Sequence, residues 1–117
     1  MLNKQMRADL EGVAPRNART VVTSSATVTT YQMKVSDLIV HVVCVGANAM
    51  AITLPSVAEA CGNIYTIKFV TDGGAAVTVA DKDNDAGYST VTMSDATDFQ
   101  VLYSDGCYWY LLAGQSD

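Results

Sequence analysis

The groups able to do chemistry in this chain are few and widely spaced. His41 is the single histidine of 117 residues. No carboxylate or cysteine stands near it at a spacing that would orient its ring, so a histidine-based dyad finds no support; it reads as a satisfied or interface histidine. Cys44, Cys61 and Cys107 form no C-x-x-C pair and are odd in number, which fits neither a disulfide framework nor a zinc site. They read as ordinary thiols, and folding in a reducing cytosol is the expectation. Neither G-x-S-x-G, nor a phosphate-cradling glycine loop, nor H-E-x-x-H occurs, so hydrolase and kinase readings fall away.

Two further groups need weighing. In Asp81-Lys82-Asp83-Asn84-Asp85-Ala86-Gly87 the acids recur at every second position, as in a calcium loop. However, Ala86 stands where the sharp-turn glycine belongs and Thr92 where the bidentate glutamate belongs. A solvated acidic hairpin loop is the expectation, with weak calcium binding as its alternative; no metal or other cofactor is assigned. Tyr103, Tyr108, Trp109 and Tyr110 gather near the end of the chain, and exposed aromatics can stack on sugar rings or bases. Alternation along a strand sends Tyr108 and Tyr110 to one face and Trp109 to the other, so at least one face belongs to the core. A glycan-cleaving enzyme would need two carboxylates facing across a cleft, which the scattered aspartates do not specify, and no enzymatic activity is expected.

The elements that must position these residues are strands. One hundred and seventeen residues make one domain. A composition 50% hydrophobic and 16% charged argues against disorder. No apolar run approaches the roughly 18 residues of a helical membrane span, and a net charge of −5 disfavours nucleic acid as a partner; neither membrane nor nucleic acid is expected to bind. From residue 21 onward, Val- and Thr-rich runs suit a pleated surface: 21–30, 38–45, 50–54, 64–70, 75–80, 88–93, 99–103 and 108–112, separated by Gly-, Asn- and Asp-rich turns. About eight short strands at roughly ten-residue intervals predict an all-β single domain, a β-sandwich or jelly-roll-like barrel, over residues 21–117. Within 64–70, Tyr65, Ile67 and Phe69 form an apolar face opposite Thr66 and Lys68. The 38–45 run is apolar on both faces except at His41. Either it is a central strand covered from both sides, or Ile39, His41, Val43 and Val45 meet another subunit. Pro55 and Gly62 bracket one or two helical turns between strands.

Residues 1–20 differ in charge. Lys4, Arg7, Arg16 and Arg19 against Asp9 and Glu11 give net +2, whereas residues 21–117 hold three lysines against ten acids, net −7. Leu2, Met6, Leu10 and Val13 would line one face of a short helix, which is too short to be stable alone in water. That stripe is covered either by its own domain or by a neighbouring subunit, which would make residues 1–20 a basic N-terminal arm.

Ile52-Thr53-Leu54-Pro55-Ser56-Val57-Ala58-Glu59-Ala60-Cys61-Gly62-Asn63-Ile64-Tyr65-Thr66-Ile67-Lys68 resembles the "T-L-P-S-x-A-x-A-x-G-x-x-Y-T-I-K" stretch of small β-rich structural proteins of tailed bacteriophages. Ser104-Asp105-Gly106-Cys107-Tyr108-Trp109-Tyr110-Leu111-Leu112 resembles the "S-D-G-x-x-W-Y" hairpin of the same group. The resemblance covers roughly residues 20–114 and recurs in tail fibres, spikes, head fibres and capsid decoration proteins. It implies a scaffold rather than an active site. With only a basic arm attached, it implies a virion protein made in the host cytoplasm and carried on the capsid surface: a homotrimeric decoration or cement protein whose partners are the major capsid protein and itself. Leu2, Met6, Arg7, Leu10, Val13, Arg16 and Arg19 would be the partner-binding residues. A tail fibre or receptor-binding module recognising host surface glycan is the alternative.

Overall fold

The computed structural model describes residues 19–82 and 88–116. The arm residues Leu2, Met6, Arg7, Leu10, Val13 and Arg16, and residues 83–87 of the acidic loop, lie outside the described residues.

Nine strands are present among the described residues: β1 (Thr20–Thr23), β2 (Thr30–Gln32), β3 (Ile39–Val43), β4 (Met50–Thr53), β5 (Ile64–Thr71), β6 (Val77–Ala80), β7 (Val91–Met93), β8 (Phe99–Ser104) and β9 (Trp109–Gln115). They build the all-β sandwich from a five-stranded sheet, β1-β3-β5-β8-β9, and a four-stranded sheet, β2-β4-β6-β7. From β1 to β6 every strand passes to the opposite sheet, so like strands pair in parallel, β1 with β3 with β5 and β2 with β4 with β6. Parallel neighbours need a long crossover, and here the opposite sheet supplies it, as in a flattened solenoid. β7, β8 and β9 then close the two sheets with antiparallel pairs.

The strand count is nine rather than eight because the expected 21–30 strand is broken. Ser25 Oγ accepts from the N–H groups of Thr27 and Val28, and Ser24 Oγ accepts from Val45 N–H. A hydroxyl that bonds nearby backbone as Ser25 does favours a turn over a ladder, and the turn carries the chain between sheets. The 55–62 segment forms hydrogen-bonded turns rather than a helix, with Ala60 N–H on Ser56 O at 3.0 Å. Gly62 closes it at φ +84°, the left-handed region that a residue without Cβ enters freely.

Between the sheets, Val40, Val42, Tyr65, Ile67, Phe69 and Leu102 face Met50, Ile52, Val77, Val79 and Met93, all buried. The alternation expected in 64–70 is therefore the core face of β5. Trp109 is 6% exposed and meets Tyr65 edge to face, with ring centroids 5.6 Å apart, so it belongs to the core. The coils stack closely at one corner. Ala47 N–H donates to Gly73 O at 2.7 Å, and a Cβ on Gly73 would lie 2.4 Å from the Cys44 carbonyl oxygen.

Candidate interaction surface

Strand alternation exposes two features: the outer face of the five-stranded sheet and its last edge. On β3, Val40 and Val42 turn inward, so Ile39, His41 and Val43 share the outer face, each half-buried. Val45 lies beyond the strand end and is 51% exposed. Register continues this face across the sheet. Val21, His41, Lys68, Phe99 and Gln115 form one row, and Ile39, Thr66, Val101 and Ala113 the next. Ile64, Tyr103 and Tyr110 form a third. The face is thus largely apolar, with His41, Thr66 and Lys68 as the polar groups at its centre.

His41 sits at that centre. Burial pushes its pKa down, and the charges of Arg19 and Lys68 add to the effect, since each disfavours a third cation nearby. The ring is therefore a neutral imidazole at neutral pH. Arg19, the described residue of the expected arm set, is exposed and enters β1 at the edge of this face. The entry point is clamped. Asp37 accepts from the Tyr31 hydroxyl at 2.6 Å, the Lys34 N–H at 2.8 Å and the Thr20 hydroxyl at 3.0 Å. Burial alone would raise the Asp37 carboxyl, but these donors outweigh it and hold the pKa below the usual carboxylate value, while Tyr31 is pushed up to about 12, mainly by burial.

At the other end of the sheet, Tyr103 and Tyr110 stack with centroids 6.4 Å apart, and Tyr108 is 56% exposed. Asp105 accepts from the N–H groups of Tyr108 at 2.7 Å and Cys107 at 2.8 Å, which holds its carboxyl down; its charge in turn raises the Tyr110 hydroxyl. This orders the β8–β9 turn. Cys44 is buried, Cys61 and Cys107 are exposed, and all three are free.

The chain matches no family model, no curated protein and no solved structure.

The structure brings Ile39, His41 and Val43 onto one surface with Arg19 near its edge. Reading the sequence missed Val21, Ile64, Phe99 and Val101 as members of the same face, because they come from strands whose neighbours only the register defines. Such a surface offers dispersion, apolar burial and a few cationic donors, which are the means of association.

Proposed function

We propose that this protein is a virion structural protein of a tailed bacteriophage, a trimeric decoration or cement protein on the capsid surface that clamps neighbouring capsid subunits. The observation that carries the reading is the outer sheet face. Ile39, Val43, Val21, Ile64 and Val101 place apolar side chains where a solvated sheet face would alternate to polar ones, and the basic N-terminal segment joins the sheet beside it through Arg19 and Thr20. The T-L-P-S and S-D-G-x-x-W-Y resemblances support the same reading.

The work is association without chemistry. Copies meet one another through the Ile39, His41 and Val43 face and reach the shell through residues 1–20, where Leu2, Met6, Leu10 and Val13 are the apolar anchors. Arg7, Arg16 and Arg19 pair with acidic groups on the shell or the adjacent protomer. Each contact is modest, and multivalency multiplies them once an oligomer spans several capsid subunits. The test is purified protein added to particles lacking it, followed by cosedimentation and electron microscopy: binding to the shell is the expected result, and no binding overturns the reading.

The exposed Tyr108 and Tyr110, the latter stacked on half-buried Tyr103, favour a second reading, a fibre-associated module holding host surface glycan. Sugar rings stack on such aromatics. A glycan-array signal abolished by Tyr110→Ala, together with density at the tail, would select it.

A further inference from the structure

The outer face of the five-stranded sheet keeps large apolar side chains in the open: Val21 is 52%, Ile64 51% and Tyr110 48% exposed. Monomers rarely leave such a surface bare. Its polar groups are gathered in one place. His41 and Lys68 stand side by side in one row with Thr66 in the next, and the charges of Arg19 and Lys68 both act on the His41 ring. Among the described residues no acid lies in the rows of this face, although residues 21–117 hold ten acids. The complement of this face is an apolar stripe that carries one carboxylate.

The sequence holds such a stripe directly beside it. Residues 1–18 lead through Arg19 into β1, the edge strand next to β3. Wound as a helix, Leu2, Met6, Leu10 and Val13 fall within an arc of about 80°, with Asp9 about 20° outside it and Lys4 and Glu11 on the far side. We propose that the outer face is a docking surface for this chain's own residues 1–18, with the apolar stripe lying on the sheet and the Asp9 carboxylate beside Lys68 and His41. Reach and charge select this occupant. Residues 14–19 join Val13 to β1 and extend up to about 20 Å, whereas β5, which carries Lys68, lies two strand spacings or about 10 Å from β1. A segment tethered so closely meets the sheet at an effective concentration in the millimolar range, above that of a separate molecule at micromolar concentration. Lys68 donates one N–H to Ala96 O at 2.9 Å, which fixes its ammonium, and an ammonium has three donors in all.

This contact goes beyond the cement reading and does not depend on it. Under that reading, drawing residues 1–18 onto the shell uncovers the face through which copies meet, so self-association follows attachment. The experiment is nuclear magnetic resonance on the full chain with a nitroxide at Glu11→Cys, off the stripe, in a Cys61→Ser, Cys107→Ser background; Cys44 is buried and stays. The expected result is broadening of the β3 and β5 amide signals, with a much weaker effect on β2 and β4 in the opposite sheet. Asp9→Glu should keep that pattern and Asp9→Lys should abolish it. In a mixture of isotope-labelled chain without nitroxide and nitroxide-bearing chain without isotope, the β3 and β5 signals should stay sharp. Broadening confined to β1, a pattern that survives Asp9→Lys, or broadening that appears in the mixture overturns the proposal. Shell binding of the full chain is read separately, so its retention beside sharp β3 and β5 signals marks a failure of this contact and not of the cement reading.

Discussion

Replacing Trp109 with alanine is the sharpest test of the sandwich core. The side chain is 6% exposed, and its ring meets Tyr65 edge to face at 5.6 Å and 71°. A tryptophan buries up to about 250 Å², which at about 25 cal/mol/Å² corresponds to about 6 kcal/mol. That is an upper bound, because the unfolded chain already hides part of its apolar surface. Subtracting what alanine keeps, and adding the cavity and the lost ring pair, places the expected cost at about 3–5 kcal/mol, or two to nearly four powers of ten in the folding equilibrium. The indole Nε1 is buried without a hydrogen-bond partner, so no hydrogen bond is lost. Trp109→Phe removes that unpaired donor and keeps a ring, and should cost no more than about 1.5 kcal/mol. Urea unfolding followed by far-ultraviolet circular dichroism measures both, with an unchanged slope as the check on two-state behaviour. A loss under about 1 kcal/mol for Trp109→Ala would refute its place in the core and return the indole to the surface as a stacking platform.

Gly73→Ala should cost at least about 2 kcal/mol in thermal unfolding, because its Cβ would lie 2.4 Å from the Cys44 carbonyl oxygen, a backbone atom unable to move alone; an unchanged melting temperature contradicts the stacked corner. The Asp37 carboxyl is held down in the fold, so its stabilisation is present above the unfolded-state value near 4 and is lost as pH falls through the lower folded value. Acidification from pH 6 to pH 2 should therefore destabilise the native protein more than Asp37→Asn, with the gap about 2 kcal/mol at pH 6 and closing in acid; parallel curves would contradict the clamp. Deleting residues 1–19 should leave a folded domain by circular dichroism that no longer cosediments with capsids, and undiminished attachment would refute the role proposed for that segment.

Much of this architecture is written in local pattern. The two-residue period of Tyr65, Ile67 and Phe69 marks a core face, Gly62 marks a left-handed closure, and Trp109 separates from Tyr108 and Tyr110 by the same alternation. What local pattern does not carry is which strand lies beside which. A period of two is the same in a parallel coil and an antiparallel hairpin, so the passage of the chain from sheet to sheet, and with it the rows joining His41 to Val21, Lys68 and Phe99, has no signature in any one segment. The break after Thr23 was readable in principle, since Ser24 and Ser25 interrupt the β-branched run, but Val28, Thr29 and Thr30 resume the strand composition and conceal it. The corner role of Gly73 depends on residues far away in the chain. The apolar two-faced character of β3 was legible, and its outer half lies on the surface proposed for association.

The most direct measurement is the position of this protein on an intact phage particle, found by cryo-electron microscopy of wild-type virions beside virions that lack it. Density of the sandwich on the outer shell, seated between capsid subunits and missing from the second particle, is the expected result. Density confined to the tail, or none on either particle, would contradict the account.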